Sequence, residues 1–184
     1  MISRENAIKL LEEHIQNHNM KKHCLASEAV MCALADKLGK DGEEWGIAGL
    51  LHDIDVEITA ADPLKHGPYA ATMLEGMLST EAIEAIVMHN EMATGMERTT
   101  EFQHALAAGE TITGLIMATA LVYPDKKLAS VKTKSITKRM KEKAFAASVK
   151  RENILECEQI GIPIQDFAEI ALLAMQKISD KLDL

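Results

Sequence analysis

His52 and Asp53 stand side by side at the end of the apolar run Ala48-Gly49-Leu50-Leu51, so a nitrogen and an oxygen ligand are offered from adjacent positions. Neighbouring helical residues point about 100° apart and reach one ion best where a helix is ending. Asp55, Thr59 and Asp62-Pro63 come soon after and predict that ending. An imidazole and a carboxylate within an apolar segment must be satisfied, by hydrogen bonds or by a metal. Three more histidines, His23, His66 and His89, and one acid, Glu110, lie on other stretches of the chain. Singly, each histidine also fits a structural role. Together, on separate elements, they fit a cation site in a helical core. Imidazole and carboxylate donors suit borderline ions such as Zn²⁺, Mn²⁺ and Fe²⁺.

The elements that must position these residues read as helices throughout. Apolar spacing predicts helices over residues 3–18 (capped by Ser3), 21–38 (stopping at Gly39) and from about 41 to His52. Further helices follow over 69–77, from Ser79 or Thr80 past His89, and over 101–122, where Gly109 and Gly114 permit close packing. The basic stretch to Val149 reads as helical after Thr133, with further helices over 151–160 and from Gln165 or Asp166 to near Leu182. No strand alternation persists and no repeat or linker interrupts. The expectation is an all-α, single-domain bundle of about eight or nine helices, with a site-bearing core at roughly 20–125 and a basic helical extension over 126–184. His14 and His18 fall at the margin of the first helix's stripe of Ile8, Leu11 and Ile15 and read as a solvated edge.

The ordered set resembles the HD-domain superfamily of metal-dependent phosphohydrolases, in which an early His, a His-Asp pair, further histidines and a distal acid recur on a helical bundle. Leu50-Leu51-His52-Asp53-Ile54-Asp55 is similar to the HDIG-type version, with Asp55 where a Gly is common. His66-Gly67 before a helix, and Ile86-Val87-Met88-His89-Asn90-Glu91, also match. Asn90 stands where dinuclear members often carry a second His, and Glu110 where the family carries Asp. The resemblance implies one or two divalent ions from among Mn, Fe, Zn, Mg and Ni. His23, His52, Asp53 and Glu110 would hold one, and His66 and His89 a second, with Asp53 bridging. It further implies catalytic roles for Asp53, His66, His89 and Glu91, with Asp55 and Asn90 orienting water or a ligand histidine. The implied reaction is attack of metal-activated water on a small phosphate ester or nucleotide. A di-iron oxygenase or a non-catalytic ligand-sensing module of the same superfamily fits these residues too.

Charge supplies a second clue. The chain carries −8, yet residues 126–151 hold ten Lys/Arg and a single acid, Glu142. Lys134, Lys138 and Lys141 recur at helical spacing and are candidates for binding substrate phosphate, within a wider basic set that includes Lys150 and Arg151. A small anionic phosphorylated partner fits this better than duplex nucleic acid, which the acidic remainder would repel. Cys24, Cys32 and Cys157 are odd in number, without metal-type spacing, and read as reduced thiols. With no unbroken apolar run near the roughly 20 residues that span a bilayer, the expectation is a cytoplasmic protein without a membrane partner.

Overall fold

The computed structural model describes all 184 residues and contains eleven α-helices and two short 3₁₀ turns, with no strand. Helix α1 spans Arg4–His14 and α2 spans His18–Leu38. The first helix, expected over 3–18, therefore ends at His14, and the second, expected from 21, begins at His18. The Glu57 carboxylate accepts from the backbone N–H groups of Gln16 and Asn17, and Asn17 then caps α2 through its side-chain oxygen. A contact from forty residues away overrides local periodicity there. Helix α3, Gly42–Leu51, starts on Asp41, whose carboxylate accepts from the N–H groups of Glu43 and Glu44. Short turns then lead to α4, Pro68–Leu74, and to α5, Thr80–His89, capped by Ser79. Helix α6 is a single turn, Glu91–Thr94, capped by Asn90.

Helix α7, Glu101–Leu121, opens with a reciprocal cap between Thr100 and Gln103 and packs against α2, α3 and α5. By length and composition it could cross a membrane, but 67% of that stretch is buried here among other helices. An unbroken-run criterion misses it because Glu110 interrupts the apolar sequence.

Beyond α7 come α8, Thr133–Met140, α9, Arg151–Leu155, α10, Ile164–Gln176, and α11, Ser179–Leu182. Three expectations are corrected in this region. The basic helix stops at Met140 instead of reaching Val149, because the Arg151 guanidinium gathers the carbonyls of Phe145, Ala146 and Val149 into a compact turn. The helix from Arg151 gives way at Glu156 to a 3₁₀ turn. The last helix is two, broken after Gln176. The break after Gln176, with the one-turn α6, raises the helix count from the expected eight or nine to eleven.

One apolar core of 44 buried residues runs from Ala7 to Leu184. At its centre α3 lies almost on the backbone of α2. A Cβ added at Gly49 would sit 2.8 Å from the Ser27 carbonyl oxygen and 2.8 Å from Met31 Cγ. That contact seats the His52-Asp53 end of α3 beside His23. Gly49→Ala is expected to lower stability by about 1–3 kcal/mol through overpacking. An unchanged urea midpoint would show that the two helices can part without cost.

Candidate metal centre

Five of the six residues singled out from the sequence for a cation site meet at one point. His52 is the C-cap residue of α3, and Asp53 lies in the turn that follows, so the helix ends where the pair can converge. His23 comes from α2, His66 from the loop before α4, and His89 from the last turn of α5. Asp53 lies between them. Its Oδ2 is 3.5 Å from Nε2 of both His23 and His52. Its Oδ1 is 3.1 Å from Nε2 of His66 and 3.4 Å from Nε2 of His89. Two donor groups result, His23–His52–Asp53 and Asp53–His66–His89.

Hydrogen bonds on the far side of each ring fix the tautomers. Nδ1–H of His52 donates to the Gly49 carbonyl at 2.8 Å, and Nδ1–H of His89 donates to the Ile86 carbonyl at 2.5 Å. Nδ1–H of His66 donates to Asp55 Oδ1 at 2.7 Å. His23 Nδ1 meets Thr113 Oγ1 at 2.9 Å, and because that hydroxyl gives its own proton to the Glu110 carbonyl, it accepts from the ring. With the rings neutral, as metal ligation requires, all four Nε2 lone pairs face inward. His23 and His52 Nε2 lie 3.1 Å apart, and His66 and His89 Nε2 lie 3.0 Å apart. Facing lone pairs repel unless a cation or a proton lies between them. Two neighbouring ligands of an octahedral ion bound at about 2.1 Å are separated by about 3.0 Å, so the donor set fits divalent metals.

The electrostatics agree. Burial opposes the Asp53 charge, but His52 and the other imidazoles hold its carboxyl well below the usual range. Burial pushes the His52 ring down to about 3. Burial also opposes a charged His66, yet its hydrogen bonds to Asp53 and Asp55 prevail and raise it to about 10. Without metal, His66 thus holds a proton that an ion must expel. Between neutral pH and about 10, metal binding is expected to release a proton, with apparent affinity rising about tenfold per pH unit. Calorimetry in buffers of different ionisation enthalpy measures the release, and buffer-independent heat would exclude it.

Glu110 stands at the edge of this arrangement. Burial raises its carboxyl, Thr111 Oγ1 donates to it, and its Oε2 lies 3.7 Å from His23 Nε2. It faces the His23–His52 pair, as its implied role requires, but is not in the tight donor group. Asp55 is fully buried and braces His66, and Asn90 Nδ2 donates to the carbonyls of Pro63 and His66 at 2.8 Å each. These are the outer positions anticipated for them.

The remaining site candidates lie elsewhere. Glu91 is half exposed and pairs with Lys150 at 3.1 Å and Arg98 at 3.7 Å, and it does not line the cavity above the cluster. Lys134, Lys138 and Lys141 line a separate groove with Arg151, Met140 and Leu155, because α8 turns its lysine face away from the histidines. The basic residue at the cavity is Lys150, carried there with Ser148 and Val149 by the turn after α8. Three contributors were missed: Asn153, which lines the cavity, Thr113, and Arg98. The buried Arg98 guanidinium donates to the carbonyls of Met88 and His89 at 2.8 Å each and pairs with Glu156. Thr113 had a signal, lying one helical turn after Glu110, whereas nothing local marks Arg98 as buried.

Searches of characterised proteins and of solved structures return no match. A model of the family described as HD domain matches residues 20–120, more than half of the chain and the whole span from His23 to Glu110. With that match and an all-helical fold that brings its histidines onto one aspartate, the chain belongs to the HD-domain family.

Proposed function

We propose that the protein is a metal-dependent phosphohydrolase that cleaves a small phosphate ester with metal-activated water. One observation carries this reading: Asp53 turns each of its oxygens to a different pair of imidazole lone pairs. That is the donor pattern of a shared two-ion site. Ions held there would acidify water and offset charge on phosphoryl oxygens. The chain's own residues prepare the site. His52 and His89 are oriented by helix carbonyls, His66 by Asp55 and His23 by Thr113, so no ligand ring has to reorganise. Glu110 supplies a further carboxylate on the His23 side. Lys150 places a positive charge on the opposite wall, where phosphate oxygens would lie.

Elemental analysis of the purified protein, paired with phosphate release from a panel of phosphate esters in Mn²⁺, Mg²⁺, Zn²⁺, Ni²⁺ or Fe²⁺, tests the proposal. One or two ions per chain with metal-dependent release are expected. Metal-free protein that stays inactive with every ion would overturn it. Bound iron with oxygen consumption and no phosphate release would move the assignment to oxidation.

A further inference from the structure

The cavity above the cluster has a volume of about 310 Å³ and two different walls. The floor is His23, Asp53, His66 and His89, within the segment matched by the family. The facing wall is Ser148, Val149, Lys150 and Asn153, all beyond that segment. What the substrate is, apart from its phosphate, is therefore decided by the C-terminal part of this chain.

That wall is polar. Of the twelve residues lining the cavity, Val149 is the one hydrophobic member, and none is Phe, Tyr or Trp. Of the chain's six Phe, Tyr and Trp rings, Tyr69 is exposed outside the cavity and the other five are engaged elsewhere. Trp45 and Phe102 stack on each other at 4.6 Å, Phe145 lies under the Arg139 guanidinium, Phe167 is fully buried and Tyr123 bonds Ser135. A purine or pyrimidine would find no face to stack on, and base stacking is the usual sequence-tolerant grip on nucleotides. Hydroxyl and amide groups line the cavity instead, from Thr111, Ser148 and Asn153. Lys150 is the cavity's one lysine or arginine. It is tied to Glu91, which approaches Arg98, and Arg98 in turn holds the Met88 and His89 carbonyls, so the lysine and a candidate metal ligand share one support.

We infer that the cavity selects a compact phosphomonoester of a polyhydroxylated body, a sugar or polyol phosphate, over nucleotides. This rests on the phosphohydrolase reading. The phosphate lies between the cluster and Lys150, and the hydroxyls of the body meet Ser148, Asn153 and Thr111. The candidate lysines Lys134, Lys138 and Lys141 have no part in it. Lys150 binds substrate, and Glu91 and Arg98 position Lys150.

The test is calorimetric titration of the metal-loaded full chain with three probes: a non-hydrolysable phosphonate analogue of a hexose 6-phosphate, the matching analogue of adenosine 5′-monophosphate, and inorganic phosphate. Release of phosphate from the two parent esters is measured in parallel. The hexose analogue is expected to bind at least about tenfold more tightly than the adenosine analogue. Lys150→Ala should weaken both the hexose analogue and inorganic phosphate by about 10- to 100-fold, with Lys150→Arg recovering part of the loss. Ser148→Ala, an exposed-turn change that spares the core, should weaken the hexose analogue severalfold and leave inorganic phosphate unchanged. Equal or tighter binding of the adenosine analogue would overturn the selectivity and leave hydrolysis standing. Selective binding of the hexose analogue, with no phosphate released from either ester, would keep the selectivity and sink hydrolysis. Binding of neither analogue would end both.

Discussion

Asp53→Asn is expected to strip metal from both donor groups and to cut phosphate release by at least about 10³-fold, roughly 4 kcal/mol of barrier. The substitution changes almost nothing in shape, so its effect isolates the chemistry. Asp53 gives one oxygen to the His23–His52 pair and the other to the His66–His89 pair. An amide keeps one oxygen and replaces the other with an NH₂ group. That group would donate to the inward-facing Nε2 lone pairs on its side and occupy them as an ion would. The other side keeps an oxygen but loses the full negative charge that balances a divalent ion. Elemental analysis reads the metal and circular dichroism reads the fold, which should be unaltered. Wild-type metal content in Asp53→Asn would remove the central support for the proposed function.

The convergence at Asp53 was legible because each ligand occupies a position that a sequence can mark. His52 and Asp53 close an apolar run before a polar turn, His66 precedes Gly67-Pro68 at a helix start, and His89 ends an amphipathic helix. Order and chemical type did the rest. The candidate anion-binding residues were less legible, for a physical reason. The spacing of Lys134, Lys138 and Lys141 establishes that they share a face of α8 but not where that face looks. It looks into a groove of its own, because the chain reverses after Met140 and presents Ser148 and Lys150 to the metal cavity instead. The reversal depends on one guanidinium, that of Arg151, bonding carbonyls up to twelve residues back along the chain. Helical periodicity contains no trace of such a contact. The early end of α1 at His14 was hidden in the same way, since Glu57 holds Gln16 and Asn17 from a distant loop.

Asp55→Ala is expected to cost about 3–5 kcal/mol of stability and, separately, to empty the His66–His89 side of the centre. Asp55 is wholly buried, and its carboxylate accepts three hydrogen bonds, from His66 Nδ1–H at 2.7 Å, Gly67 N–H at 2.8 Å and Ala70 N–H at 3.0 Å. Gly67 and Ala70 belong to the first turn of α4, so the same carboxylate satisfies the helix's open N–H groups and aims a ring of the candidate metal centre. Removing it leaves two buried N–H donors unpaired and frees the His66 ring to rotate or to move its proton to Nε2. Either change withdraws the lone pair that His66 directs at His89. The His23–His52 pair draws on Gly49 and Thr113 and has no bond to Asp55, so its ion should persist. Urea denaturation and elemental analysis on one sample distinguish the two effects. A large stability loss with full metal content would reduce Asp55 to a helix cap, whereas full stability would show that water replaces it at α4.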